Sequence, residues 1–380
     1  MLLRTLYFEG PTSRHELSGL TGLSAASVSN VTGDLITDNV IVEAGLVESD
    51  GGRPRVLLRV NPEFGYAIGV DVGETHVRVE LFDLDMNERA KAEYPLRPAR
   101  HDVDLIVRHI LSGIDAVLAD SGVDPARVLG VGIGVPGIVE NGPEALIHAQ
   151  TFGWDAVPLG ALVRAGTSLP LYIDNGAKTM GQAELWFGAG RGTRHTIVAL
   201  IGSGVGASIV NDGITYRGAN SSAGEWGHTK ITMGGRACRC GGHGCLEAYI
   251  GAESILERAG LSTAEISDEQ TVLADLVRSG GPVIDETADY LGAGLANLIN
   301  LFNPERIVIG GWAGLLLGQH HLTRIRRSAA GNSLAQPYET ASIVLGRLGP
   351  DAVALGAATL VVEDFLMAKA VPPGQRSAAV

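Results

Sequence analysis

An α/β chain in two unequal parts is predicted, a small helical head with a strand hairpin followed by a two-lobed body. Three observations predict it. Residues 1–62 hold three short helical patterns, then two strand-like runs around a glycine-rich tip. A strand, a tight glycine turn and an alternating second strand occur twice further on, at residues 66–83 and 196–212. The chain has 380 residues and 45% hydrophobic content, enough for a small domain plus a large one, or for three lobes of ordinary size.

In the head, Leu2, Leu3, Leu6 and Tyr7 recur at helical spacing. Ser13, with Glu16 three residues on, has the form of a capping box that opens a second helix. Thr21-Gly22-Leu23-Ser24 makes a tight turn, and Ser24 caps a third helix running through Val28, Val31, Leu35 and Ile36 to Asp38. Helix, glycine turn, helix is the helix-turn-helix pattern. The strand-like runs 41–48 and 56–60 flank Gly51-Gly52-Arg53-Pro54-Arg55, which completes a winged helix over residues 1–62. This reading puts Ser24, Ser27, Ser29 and Asn30 at the major groove of a DNA duplex, and Arg53 and Arg55 at phosphate or the minor groove. The alternative is a small protein-interaction domain.

Charge restricts that reading. The net charge of −13 argues against general affinity for nucleic acid, which comes from Lys and Arg neutralising phosphates. Within residues 1–62 five arginines face seven acids, and the third helix carries no Lys or Arg. One such module would bind an operator poorly, so a homodimer or homotetramer that spans two half-sites is expected. The chain has neither a run of about 18 apolar residues nor the pattern of a secretory leader, which places it in the cytoplasm without a membrane partner. Residues 371–380 read as a frayed tail.

The body occupies residues 63–370. Its two glycine hairpins each open an α/β lobe, the signature of a duplicated actin-like ATPase (ribonuclease H-like) fold in which both turns face phosphates across a cleft. Lobe one is expected over about 63–185 with a C-terminal helix at 352–370, and lobe two over about 186–351. The helix around Leu291, Leu295, Leu298 and Ile299 reads as core.

All three cysteines fall between Cys238 and Cys245, which suits a metal clip better than a disulfide framework. Cys238, Cys240 and Cys245 can converge on one ion because Gly241, Gly242 and Gly244 let the loop fold tightly. A fourth ligand is needed, and His243 inside the loop is one candidate.

The hairpins, Gly132-Ile133-Gly134-Val135-Pro136-Gly137, Phe152-Gly153-Trp154, Ala223-Gly224-Glu225-Trp226-Gly227-His228, the cysteine loop through Leu246-Glu247, and Phe302-Asn303-Pro304 through Gly310-Gly311 together resemble the ROK family of bacterial repressors, open reading frames and sugar kinases. The resemblance covers essentially the whole chain, including the winged helix of the regulator branch. It implies His228 as the fourth ligand of one structural zinc ion per chain, with Cys238, Cys240 and Cys245. It also implies Asn175, Glu225, His228 and Glu247 as contacts to a sugar, although these polar groups could equally brace the zinc loop.

The same resemblance implies a lost activity. The kinases carry N-D-x-N-x-x-x-x-G-E before F-G-A-G, and the Asp is their general base. Aligned through Phe187-Gly188-Ala189-Gly190, the family's Asn falls on Asn175 and its Asp on Gly176. Asp174 is a neighbouring substitute, reached only by breaking that alignment. The phosphate turn D-x-G-G-T-K reads Asp71-Val72-Gly73-Glu74-Thr75-His76, with an acid where backbone should approach phosphate. Trp312 follows Gly310-Gly311 where a small residue is usual, and Thr151 stands where the kinases carry an Asn. The expected function is a DNA-binding regulator of carbohydrate metabolism, a repressor with a sugar-sensing, non-enzymatic body. The alternatives are an active ATP-dependent sugar kinase with a DNA-binding arm and a ligand-independent regulator.

Overall fold

The structure is a computed structural model that describes residues 1–49, 52–96, 101–140, 145–262, 266 and 268–367. The expected tail 371–380, the last residues of the expected 352–370 helix and Gly51 at the wing tip lie outside the described residues.

Three helices, Leu2–Glu9, Arg14–Thr21 and Ala25–Thr37, open the chain. Ser13 and Glu16 form the capping box, with Glu16 N donating to Ser13 Oγ at 3.3 Å and Ser13 N to the Glu16 carboxylate at 2.9 Å. Gly22 takes a left-handed φ of 70°, which ends the second helix and turns the chain into Ser24, the cap of the third. The strands Ile41–Ser49 and Gly52–Val60 pair antiparallel, and Thr12–Ser13 adds a short third strand. Arg55 lies within the second strand, opposite Val47, rather than in a loop at the tip.

The body contains two five-stranded sheets of matching topology. In the first, Tyr66–Val72 is central, with the antiparallel strands His76–Asp83 and Glu88–Pro95 on one side and the parallel strands Val128–Val135 and Leu171–Asn175 on the other. In the second, Thr196–Ile201 is central, with Val205–Asn211 and Ile214–Thr215 antiparallel and Arg306–Gly310 and Ser342–Leu345 parallel. In each sheet the first strand of a glycine hairpin is the middle strand.

The helix Ala352–Met367 lies directly on the first sheet. A Cβ added at Gly132 would stand 1.8 Å from Ala357 O, so only glycine permits this approach. On its other side, a Cβ at Gly356 would stand 1.9 Å from Thr179 O in the helix Gly176–Trp186. The core of the helix Pro282–Phe302 is as expected, with Leu291, Leu295, Leu298 and Ile299 buried.

The head shares a core with the body. Leu3, Leu6, Leu17, Val28 and Leu58 of the head share one apolar cluster with Leu84, Leu129, Val361 and Phe365 of the body. Trp186, the last residue of the helix Gly176–Trp186, packs edge-on against Phe8 at 4.8 Å and Tyr7 at 6.3 Å. Head and first lobe therefore form one packed unit.

Candidate functional site

The cysteine loop brings its donors together. Nδ1 or Nε2 of His228 and the sulfurs of Cys238, Cys240 and Cys245 all lie within 4.8 Å of one another. Cys240 Sγ is 3.7 Å from Cys245 Sγ, and Cys238 Sγ is 3.8 Å from His228 Nδ1. A tetrahedral zinc with bonds of about 2.3 Å has sulfur–sulfur edges of about 3.8 Å, so the donor set fits that ion. His243 is outside the group and pairs through its backbone with Ala237. Local chain geometry makes the loop possible: Gly244 has a φ of 73°, and a Cβ there would sit 1.7 Å from Thr232 O. His228 arrives on a short turn, Trp226–His228, held by the buried Trp226 indole donating to Gly294 O at 3.2 Å.

Glu225 and Glu247, two of the residues expected to meet a sugar, lie beside this group. Glu247 accepts from Val205 N at 3.0 Å and lies 3.7 Å from Cys238 Sγ. Burial raises the Glu225 carboxyl above its ordinary range, against the pull of His228 and Lys178. Asn175 has a narrower role than expected. Its oxygen caps the helix Gly176–Trp186 by accepting from Ala177 N at 2.9 Å and Lys178 N at 3.2 Å, and its amide donates to Gly137 O at 2.7 Å. One amide hydrogen is left for a ligand. Thr151 Oγ1 is buried without a hydrogen-bond partner among the described residues.

Lys178 escaped the reading of the sequence. It is 3% exposed, donates to Ser221 O, and has its pKa lowered by burial despite Asp174 and Glu225 nearby. The signal was available, because the fourth place of the N-D-x-N segment falls on Lys178 in the alignment that puts Gly176 on the Asp. Arg217 was missed as well. It pairs with the buried Asp174 at 2.7 Å, and Asp174 also accepts from Asn175 N at 2.8 Å, so this neighbouring carboxylate is already engaged.

On the phosphate side, Glu74 reaches across to Arg239 at 2.6 Å, and His76 Nε2 lies 3.2 Å from Asp71. The Trp312 indole nitrogen comes within 3.3 Å of where a Cβ on Gly202 would stand, closing the second glycine turn from its other side. Within reach of the charges of Glu253, Glu74 and Arg239, Glu269 is 5% exposed and neither carboxylate oxygen has a hydrogen-bond partner among the described residues.

Burial, helped by Glu253 and Glu74, pushes the Glu269 carboxyl up to about 7 from an ordinary 4.5. The folded state then keeps a proton that the unfolded chain releases, so this group lowers stability as pH rises from about 4.5 to 7, with the full penalty present above. Glu269→Gln is expected to stabilise the protein at pH 8 by about 1–3 kcal/mol, the lower figure allowing for solvent screening, and to do nothing at pH 4. Urea titrations at the two pH values check this, and equal shifts at both would contradict it.

At the head, Ser24, Ser27, Ser29, Asn30 and Arg55 are exposed, while the Arg53 side chain lies outside the described residues. Ser27 Oγ is 2.9 Å from Ser24 Oγ, so these two hydroxyls share a hydrogen bond at the helix start. Among the described residues, no helix is long and apolar enough to cross a membrane.

Known proteins resemble the chain over different shares of its length. The chain is 34% identical to the xylose repressor of Caldicellulosiruptor bescii, over 96% of this chain and 95% of that protein. A solved ROK family transcriptional regulator, a homolog of the E. coli MLC protein, superposes with a TM-score of 0.79 at 26% identity and covers 97% of both chains. The ROK family glucokinase of Streptomyces griseus, solved with glucose and AMPPNP, has a TM-score of 0.69 at 28% identity. It covers 79% of this chain and 100% of its own. The kinase thus accounts for about four fifths of this chain and the regulators for nearly its whole length. The ROK family model matches residues 67–364, well over half of the sequence, and the chain belongs to the ROK family.

Proposed function

We propose that this chain is a DNA-binding transcriptional regulator, a repressor of genes for carbohydrate use, whose body senses a sugar or sugar derivative and transfers no phosphate. The observation that carries the proposal is the helix Gly176–Trp186. Its first turn is capped by Asn175 beside Lys178 and Glu225 in the cleft, and its last residue packs against Phe8 of the head. Eleven residues at about 1.5 Å each put some 16 Å of nearly continuous buried helix between the two ends. A ligand that shifts the capped end therefore shifts the base of the DNA-binding head, because packed helices move as units rather than bending.

The parts then take the following roles. Ser24, Ser27, Ser29 and Asn30 read base edges, and Arg55 and Arg53 hold phosphate or enter the minor groove. Asn175, Glu225, His228 and Glu247 contact the sugar, with Lys178 as an added cation. His228, Cys238, Cys240 and Cys245 hold one zinc ion, which supplies a closed tetrahedral clip that fixes the loop behind Glu247. A homodimer or homotetramer in the cytoplasm brings two heads to one operator. Gly176 in place of a base, Asp174 engaged by Arg217, and Glu74 in the phosphate turn support a body without kinase activity.

The test uses purified zinc-loaded protein with magnesium-ATP and a panel of aldopentoses, aldohexoses and N-acetylated sugars, reading ADP release and melting temperature together. A melting shift with one sugar and no ADP release is expected. ADP release abolished by Asp174→Ala would establish the kinase instead, and silence in both readouts would favour a ligand-independent regulator. On DNA, Arg55→Ala is expected to weaken binding to the chain's own promoter region and to unrelated DNA by similar factors. It should lower the salt slope by about 1 per lost phosphate contact. Unchanged affinity and slope would remove Arg55 from the interface.

A further inference from the structure

We propose that Arg239 is a built-in occupant of the phosphate end of the cleft, a strap anchored in the zinc loop that holds the two lobes together in place of a nucleotide. Arg239 lies in the second lobe's cysteine loop, and Glu74 in the glycine turn between the first two strands of lobe one. The two meet as a fork on a carboxylate, with one guanidinium nitrogen 2.6 Å from Glu74 Oε2 and the other 3.3 Å from Oε1. That second nitrogen also donates to Ser203 O, in the glycine turn of lobe two, at 2.9 Å. One guanidinium therefore joins both turns.

The space between the turns is filled as well as charged. A Cβ built on Gly204 would come within 3.3 Å of Glu74 Oε1 and 3.7 Å of an Arg239 nitrogen, which puts the pair against the second turn. Glu253 lies 3.2 Å and Glu247 3.6 Å from Arg239. A phosphate group entering here would meet several carboxylates and a guanidinium with its planar fork already committed. The same count explains the direction of failure: without Arg239, Glu74 faces Glu247 and Glu253 across the cleft with no cation between them, and the lobes repel.

The anchor is covalent and short. Arg239 stands between Cys238 and Cys240, both members of the Cys3His group, so a bound metal tethers its backbone on both sides. Metal occupancy and lobe closure are linked through this one residue. The inference goes beyond the sensor reading and does not depend on DNA or sugar binding.

The test uses the full chain, zinc-loaded, with a donor and acceptor dye on one exposed position of each lobe, and reads the interlobe distance without DNA or sugar. Arg239→Ala is expected to lengthen that distance most, because it leaves Glu74 facing Glu247 and Glu253, Glu74→Ala to lengthen it less, and the double variant to match Glu74→Ala rather than sum the two, as for two groups in one contact. Chelating zinc from the wild type should also lengthen it, and chelation should add nothing in Arg239→Ala. Glu74→Ala is remote from the metal, so it tests the strap even if Arg239→Ala loses zinc or folds poorly. Distances unchanged in Glu74→Ala, additive changes in the double variant, or equal responses to chelation with and without Arg239 would each overturn the strap. Because no readout involves an operator or an effector, such a failure leaves the regulator reading to its own experiment.

Discussion

Cys245→Ser is expected to abolish metal binding and to lower the melting temperature on the order of 10 °C, the value that several kcal/mol of lost stability gives in a domain of this size. Cys245 is fully buried and belongs to the largest apolar cluster of lobe two, with Trp226, Leu246 and Leu295. The substitution removes one of four donors and leaves a hydroxyl among apolar neighbours, with the Lys230 ammonium that now lies 2.9 Å from the sulfur losing its partner. Metal analysis is expected to find one zinc per chain in the wild type and near none in the variant, while lobe one and the head, whose cores are separate from this cluster, keep their secondary structure. A variant that melts within a few degrees of the wild type would show that the loop is held by packing and that the metal is incidental.

Glu184→Ala is expected to destabilise the protein by about 3–5 kcal/mol, because it removes an acceptor that three buried or half-buried backbone donors share among the described residues. Glu184 is 2% exposed. One of its oxygens accepts from Ala189 N at 2.6 Å, and the other from Arg347 N at 2.9 Å and Leu348 N at 3.2 Å. It thereby ties the end of the helix Gly176–Trp186 to the loop after the last strand of lobe two. Glu184→Gln should be nearly as damaging, since its amide would point donors at donors on one side. Urea denaturation decides the matter, and a loss under 1 kcal/mol in both variants would mean that water replaces the carboxylate.

This role also explains a motif that the sequence presents as catalytic context. The Glu of the kinase-like segment and the Gly188-Ala189-Gly190 after it form a structural joint, in which a Cβ on Gly188 would stand 2.0 Å from the Glu184 carboxylate. The spacing between them was legible. That the carboxylate also reaches Arg347 and Leu348, more than 160 residues on, was not.

What the sequence by itself determined follows from interactions between near neighbours. The capping box at Ser13 and Glu16, the turn at Gly22, the two glycine hairpins and the Cys238, Cys240 and Cys245 loop all close over a few residues, so spacing and residue type suffice to read them. His228 was reached only through resemblance, because it stands ten positions before Cys238, outside the short cysteine spacing. Tertiary structure alone decided the rest. Arg217 pairs with Asp174 from another element, Glu74 meets Arg239 across 165 positions of sequence, and Trp186 finds Phe8 in a core shared by head and body. These contacts depend on how two lobes and a head pack. Packing is fixed by the summed burial of many apolar side chains, and no local pattern records which charged or aromatic residues that burial brings face to face.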